Sequence, residues 1–177
     1  MLDASRLTNG KLRLELEQFD LAELTRDLAA RHAAQAQRVG CDLKVEAPAA
    51  VVGCWDRLRL DQSVTNLLTN AFKYAPGRPI SVTVEQRDGR VSVRVRDEGP
   101  GVAPADQERI FLPFERAASA QHFPGMGLGL FLARQIIEEH GGRLTLESAL
   151  GQGSTFVAEL PIETAPADGW SAGRAAG

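Results

Sequence analysis

The sequence predicts an α/β fold, a two-layer sandwich in which helices cover one face of a mixed sheet. One observation is a pair of alternating segments, 80–86 and 90–97, that flank Asp88-Gly89 and predict a β-hairpin. Another is the helical spacing of apolar residues after residues 20, 56 and 127. Helices and hairpins follow one another without a strict strand-helix-strand repeat, which favours a mixed sheet over a parallel one.

Composition limits the class of protein. A chain of 177 residues, 44% hydrophobic and 24% charged, is typical of one soluble globular domain. The net charge of −3 creates no positive field, so we expect no nucleic-acid partner. No apolar run approaches the roughly 20 residues of a membrane span, and the start is not signal-like, which favours a cytoplasmic location. Cys41 and Cys54 lack the spacing of a metal site or a disulfide framework.

Local signals place the N-terminal elements. The first ten residues are typical of the last turns of a helix that ends at Gly10. Residues 11–19 alternate between apolar and polar side chains, which predicts a half-buried strand. Asp20 is a typical N-cap residue and starts a helix that Gly40 ends.

The remaining elements follow from the same signals. In order, they are strands at 41–47 and 51–55, a helix at 56–74, the hairpin at 80–97, a short helix at 104–110, a helix directly after the glycines of "GMGLGL", and a closing hairpin at 142–161. The small, polar residues 163–177 are expected to form a disordered tail.

The helix predicted at 56–74 has two distinct faces. An apolar stripe with core spacing consists of Leu60, Val64, Leu67, Leu68 and Ala71. A second line, more than a quarter turn away, consists of Asn66, Asn70 and Lys73. An amide oxygen suits Mg²⁺ where substrate phosphates and waters complete the octahedron, and a lysine one turn away suits a phosphate. The alternative is that this polar line is simply solvated.

An acidic loop follows the hairpin. The alternating strand ends at Asp97, and Gly99 and Gly101 then allow a flat ring to approach the backbone. A carboxylate at this point can accept a hydrogen bond from the exocyclic amine of adenine, whereas guanine offers a carbonyl at that edge. The loop therefore predicts a preference for ATP over GTP, unless it is only an acidic turn.

The stretch "GMGLGL" places Gly125, Gly127 and Gly129 immediately before a helix. Neither the dinucleotide fingerprint nor the P-loop pattern fits it. Backbone N–H groups at a helix start attract anions, which predicts a phosphate contact. A hinge is the competing and compatible interpretation, because the preceding segment has the composition of a mobile lid in which Arg116 can reach a phosphate.

Together, five motifs resemble the N, G1, F, G2 and G3 boxes of the catalytic ATP-binding domain of bacterial sensor histidine kinases. They are "NLLTNAFKY" (66–74), "DEGPG" (97–101), "FLPF" (111–114), "GMGLGL" (125–130) and "GQGSTF" (151–156), in that order. The resemblance covers roughly residues 19–161. It implies the α/β sandwich of the GHKL superfamily, with ATP and Mg²⁺ bound under a flexible lid.

The resemblance also implies roles for individual residues. The implied catalytic residues near the phosphates are Asn66, Lys73 and Arg116, and the implied Mg²⁺ ligand is Asn70. Those implied around the adenine are Tyr74, Asp97, Gly99, Gly101 and Thr155, with Phe111 and Phe114 anchoring the lid beside the nucleotide. The implied lid hinge and phosphate contact consist of Gly125, Gly127 and Gly129, packed over Leu128 and Leu130.

The family's phosphoacceptor motif does not occur here, since none of His32, His122 and His140 has an acidic neighbour directly after it. These histidines are expected to be structural or solvated. The implied partner is a dimerisation and phosphoacceptor domain. Residues 1–10 resemble the end of the second helix of that domain, and residues 11–162 would be the catalytic domain. The parent is expected to be a homodimer that serves a response regulator, and this chain a monomer.

Two functions other than phosphotransfer remain open. Superfamily members that hydrolyse ATP carry a glutamate one turn before the Mg²⁺-binding asparagine, whereas this chain has Asn66 there. An amide is no general base, so slow hydrolysis is expected. The alternatives are an ATP-gated conformational ATPase and a nucleotide-binding module without catalysis.

Overall fold

The computed structural model describes residues 12–117 and 127–163. The elements are β1 (Glu17–Asp20), α1 (Leu21–Arg38), β2 (Leu43–Glu46), β3 (Val52–Trp55), α2 (Arg57–Tyr74), β4 (Ile80–Arg87), β5 (Arg90–Asp97), α3 (Gly129–Glu139), β6 (Arg143–Ser148) and β7 (Ser154–Pro161). The helical stub at 1–10 and nearly all of the tail predicted at 163–177 lie outside the described residues. None of the three described α-helices has the length and apolarity that a membrane crossing requires.

The main sheet has five strands in the order β2-β4-β5-β7-β6. Strand β2 runs parallel to β4, and every other neighbouring pair is antiparallel, so the sheet is mixed. Alternate residues of its strands are buried in one core with the apolar faces of the helices. The predicted two-layer α/β sandwich is therefore confirmed.

The central hairpin joins β4 and β5 through a two-residue turn. Asp88 and Gly89 both have positive φ, 51° and 73°, as a type I′ turn requires. The turn sets the register in which Arg87 pairs with Arg90 and Ile80 pairs with Asp97. The turn therefore fixes the position of Asp97 at the end of β5, opposite Ile80.

The strand predicted at 11–19 is shorter than expected. Only Glu17–Asp20 pairs with another strand, and the partner is β3, in a separate two-stranded sheet. Residues 12–16 keep the alternating exposure of an extended chain. There the Glu15 N–H donates to Oδ2 of Asp56 at 2.8 Å instead of joining a sheet ladder. The short helix predicted at 104–110 is divided into two 3₁₀ turns, Pro104–Asp106 and Arg109–Phe111.

Helices α2 and α3 are joined by polar bonds at three levels. The Asp56 N–H donates to Nε2 of His140 (3.0 Å), Ser63 Oγ donates to the Ala133 carbonyl (3.3 Å), and Asn66 Nδ2 donates to the Gly129 carbonyl (3.2 Å). From the first bond to the second, the position on the α2 side advances by seven residues, from 56 to 63, while the position on the α3 side goes back by seven, from 140 to 133. The two helices are therefore antiparallel neighbours in a fixed register.

His140 is fully buried at the C-terminal end of α3, as a structural histidine. Its Nδ1 lies 2.7 Å from the Ile136 carbonyl, which can only accept, so Nδ1 carries the proton. Its Nε2 accepts from the Asp56 N–H and must be unprotonated. Burial lowers the pKa of His140 below its ordinary 6.5, against the opposing effects of the Ile136 hydrogen bond and the charges of Asp56 and Glu139.

This buried neutral imidazole predicts an acid-sensitive fold. The folded-state pKa is below the unfolded one, so the unfolded chain binds more protons as the pH falls. The stability from neutral His140 is present above the unfolded pKa of about 6.5 and decreases as the pH falls toward the folded pKa. Chemical denaturation at a series of pH values from 8 to 5 should show this decrease.

His140→Gln removes the titrating group and should flatten that part of the profile. His32→Gln is the matched control, because His32 is half-buried on α1 and takes no part in the contact between Asp56 and His140. A His140→Gln protein with the wild-type slope would contradict the assignment.

Candidate nucleotide-binding site

A cavity in the described part of the chain has a volume of about 590 Å³, within the usual range for a small-molecule site. Its walls come from α1, α2, the C-terminal end of β5 with its following loop, the start of α3 and the start of β7. The cavity therefore lies where four of the five motifs converge.

The polar line of α2 faces this cavity. Asn66, Asn70 and Lys73 are half-buried and line it. The opposite stripe of α2 is buried in the core, as its spacing predicts. Tyr74 also lines the cavity, and the Lys73 ammonium lies 5.3 Å from the centre of its ring. One helix thus provides the amides, the ammonium and an aromatic edge.

Asp97 is the buried carboxylate of the cavity, with a side chain only 5% exposed. Burial raises the pKa of this carboxyl above its ordinary value, although backbone N–H groups of Gly99 and Ser154 oppose the rise. The Gly99 N–H donates to Oδ1 at 2.9 Å. A Cβ at Gly99 would lie 3.0 Å from both this oxygen and the Tyr74 carbonyl oxygen, so only glycine fits without displacement.

The start of β7 corrects one predicted residue. Ser154 and Phe156 line the cavity, whereas Thr155 does not. Thr155 lies between them on a strand, so its side chain points to the opposite face of the sheet, beside Arg96. Ser154 is the hydroxyl residue on the cavity side, paired in register with Asp97. Strand alternation counted from the apolar Phe156 is the signal that assigns Ser154.

The glycines before α3 allow a close approach of two chain segments. Gly127 has a φ of +70°, and a Cβ there would lie 2.8 Å from the Glu115 carbonyl oxygen. The Phe114 N–H donates to the Gly127 carbonyl at 3.1 Å, so the two segments are bonded here. Gly127, Leu128, Gly129 and Leu130 line the cavity. The predicted Gly125 lies outside the described residues.

The N-terminal end of α3 opens onto the cavity. Leu128 occupies the N-cap position, and its apolar side chain cannot accept from the first backbone N–H groups of the helix. An anion placed in the cavity would meet these donors and the positive end of the helix dipole. Arg116 lines the same cavity and adds a guanidinium.

The two phenylalanines of "FLPF" do not line the cavity. Phe111 is buried and packs edge-on against Phe156, with 6.1 Å between ring centroids, so it supports the cavity wall from behind. Phe114 is 71% exposed and has a φ of 64°, which is rare for a bulky residue. Their implied role, anchoring the lid beside the nucleotide, stays a prediction.

Sequence reasoning missed the contribution of α1. Gln35 and Val39, one helical turn apart, line the cavity at the C-terminal end of α1. No local pattern marks them, because they reach the cavity only through the packing of α1 against α2 and the sheet. The described residues contain no cluster of three His, Cys, Asp or Glu side chains that could hold a metal ion.

Comparisons with known proteins agree with this geometry. The family model for histidine kinase-, DNA gyrase B- and HSP90-like ATPases matches residues 55–164. The sensor protein SrrB of Staphylococcus aureus is 33% identical over 164 residues, which are 91% of this chain and 28% of SrrB. The chain thus spans less than a third of this curated relative.

Solved structures of histidine kinases have a similar fold. The nucleotide-free catalytic domain of histidine kinase ThkA superposes with a TM-score of 0.77 at 30% identity, over 85% of this chain and 98% of that domain. Full-length ShkA in complex with AMPPNP gives a TM-score of 0.81 at 32% identity, over 92% of this chain and 34% of ShkA. ThkA has also been solved in complex with the response regulator TrrA. The chain belongs to the family of histidine kinase-, DNA gyrase B- and HSP90-like ATPases.

Proposed function

We propose that this chain is the ATP-binding catalytic domain of a sensor histidine kinase. It would transfer the γ-phosphoryl group of ATP to a histidine on a dimerisation and phosphoacceptor domain. The observation that carries the proposal is the convergence, in one cavity, of the α2 amides and lysine, the buried Asp97 and the open start of α3. Family membership supports the ATP, and the kinases SrrB, ThkA and ShkA support the transfer.

Adenine would be recognised at the end of β5. The Asp97 carboxylate accepts from the Gly99 N–H and, being buried, has lost the water that would otherwise solvate it. The exocyclic amine of adenine would supply a further donor. Ser154, beside Asp97 on β7, would take the role expected of Thr155. Gly101 and Tyr74 would border the base.

The triphosphate would lie at the start of α3. There the backbone N–H groups of the helix, Lys73 and Arg116 can neutralise its charge. The donor set fits Mg²⁺, because Asn70 offers one neutral amide oxygen and this ion usually takes its other ligands from phosphates and waters. Bound there, Mg²⁺ would reduce the negative charge on the transferred phosphoryl group.

The partners of the acidic side chains in the cavity favour transfer to a protein over hydrolysis, because hydrolysis needs a free base to activate water. Among the described residues, two acidic side chains line the cavity, Asp97 and Glu115. Asp97 is held by the Gly99 N–H at the base end, and Glu115 is paired with Arg109 at 2.8 Å. Asn66 is an amide that donates to the Gly129 carbonyl. With these partners, none of the three groups would serve as a base for water beside Asn70.

The remaining partners follow from the proposal. Residues 1–10 would be the end of a dimerisation helix, 11–162 the catalytic domain and 163–177 a tail. The parent would be a homodimer through its dimerisation helices, and this chain alone a monomer. A response regulator would receive the phosphoryl group, as the ThkA complex with TrrA suggests for that kinase. The cytoplasm would be the site of the reaction.

Asp97→Asn should weaken ADP binding and abolish the preference for ADP over GDP. A hydrogen bond to a charged group contributes about 1.5–3 kcal/mol, so we expect a loss of roughly 10- to 100-fold in calorimetry. The ionised carboxylate is the stronger acceptor, because protonation turns one oxygen into an O–H donor, and burial raises the pKa of this group. ADP affinity should therefore decrease as the pH falls through that raised pKa in the wild type, but not in Asp97→Asn.

Ser154→Ala and Thr155→Ala form a matched pair for the same measurement. Ser154→Ala should weaken ADP binding, and Thr155→Ala should leave it within about twofold, because the two side chains lie on opposite faces of β7. Equal wild-type affinities for ADP and GDP would remove the adenine assignment.

Asn70→Ala should abolish Mg²⁺-dependent phosphotransfer without unfolding the chain. The side chain faces the cavity and not the core, so the free energy of unfolding should change by less than about 1 kcal/mol. The test compares ATP affinity with and without Mg²⁺, and the transfer rate. Gln62→Ala, on α2 but outside the cavity, is the control. Wild-type transfer by Asn70→Ala would rule out its role as the metal ligand.

The transfer itself can be tested directly. Labelled ATP, this chain and a separate dimerisation domain with an acceptor histidine should yield an acid-labile phosphoryl group on that domain. Steady-state hydrolysis by this chain alone should remain slow. Fast hydrolysis without transfer would favour the ATP-gated conformational ATPase, and binding without either reaction would favour a non-catalytic module.

A further inference from the structure

The wall formed by α1 is a part of the cavity that no motif explains. Gln35 and Val39 both line the cavity, and both are half-buried. Val39 offers an apolar surface, but Gln35 offers an amide, a group that carries both donors and an acceptor. A polar group on the wall of a ligand cavity selects for a ligand atom that it can bond.

The position of Gln35 along the cavity follows from how α1 is attached to the end of α2. The Gly77 N–H donates to the Val39 carbonyl at 2.8 Å, and Cys41 Sγ lies 3.3 Å from the Ala75 carbonyl oxygen. The C-terminal end of α1 therefore lies beside the C-terminal end of α2, next to Tyr74.

This end of the cavity is the nucleoside end. The Tyr74 carbonyl oxygen and Asp97 Oδ1 both lie 3.0 Å from the Cβ position of Gly99, so they are neighbours. The contact between Asn66 and Gly129, at the phosphate end, lies eight residues earlier on α2, which corresponds to about 12 Å along the helix axis. Gln35 is thus placed beside the base and sugar and away from the triphosphate.

A neighbour on α1 orients the Gln35 amide. His32 Nδ1 lies 3.2 Å from Gln35 Oε1, at a spacing of three residues on one helix face. A carbonyl oxygen can only accept, so Nδ1 of His32 donates. The bond uses one lone pair of the amide oxygen and leaves the two Nε2 protons as donors. The adenine amine, itself a donor, is not a partner for them, whereas a ribose hydroxyl oxygen is.

We propose that Gln35 recognises a ribose hydroxyl of the nucleotide and that His32 is its positioning residue. The inference rests on the proposed ATP-binding function. In this proposal, α1 selects ribonucleotides over deoxynucleotides, and Asp97 selects the base.

The test is a set of calorimetric affinities of the full chain for ATP, 2′-deoxy-ATP and 3′-deoxy-ATP. The wild type should bind one deoxy analogue about 2- to 13-fold more weakly than ATP, the range for one hydrogen bond. Gln35→Ala should bind ATP as weakly as the wild type binds that analogue, and should no longer discriminate between them. Gln37→Ala, exposed on the same helix, should retain the wild-type ratio.

His32→Ala should reduce the same ratio, and His32→Gln, which keeps a side-chain N–H donor, should restore part of it. A merely structural histidine would change all three affinities equally and leave the ratio unaltered. A wild-type ratio in Gln35→Ala would overturn the inference, as would a Gln35→Ala loss of equal size for all three nucleotides. Absence of ATP binding by the wild type would instead refute the proposed function.

Discussion

The geometry of the site depends on the hydrogen bonds of Asp56. Its side chain caps α2 by accepting the Arg59 N–H at 3.0 Å and holds the incoming chain by accepting the Glu15 N–H at 2.8 Å. Its own N–H donates to His140 at the end of α3. The start of α2 and the end of α3 are thus fixed together, and because the two helices are antiparallel, Asn66 meets Gly129 near the cavity. Together with the Ser63–Ala133 and Asn66–Gly129 bonds, this constraint sets the spacing between the α2 amides and the α3 donors.

The buried Asp97 shows how the fold prepares the cavity for a ligand. Ionising a carboxylate in a dry environment costs free energy, and the raised pKa records that cost. The Gly99 N–H offsets part of it. A base amine that enters the cavity would offset more, so the same burial that is unfavourable in the empty protein increases the gain on binding. A surface aspartate would not, because water already satisfies it.

Sequence periodicity predicted the features that depend on residues close together in the chain. It missed the features that depend on contacts between distant segments. The Asp88-Gly89 turn and the two faces of α2 are local properties, and both appear in the structure as predicted. The pairing of β1 with β3 and the arrival of Gln35 at the cavity depend on contacts between segments far apart in the chain. Thr155 is a different case, since motif matching selected the residue beside the one that strand alternation assigns.

On the proposed function, the cavity would position the reacting groups more than remove a proton. Phosphoryl transfer requires little covalent assistance when the nucleophile is already reactive and the phosphate charge is neutralised. Neutral imidazole is such a nucleophile, whereas water needs a base to be activated. In the cavity, Asn66 holds the start of α3, and the nearby Glu115 is paired with Arg109. An enzyme built this way would keep ATP intact until a histidine from another domain reached the γ-phosphate.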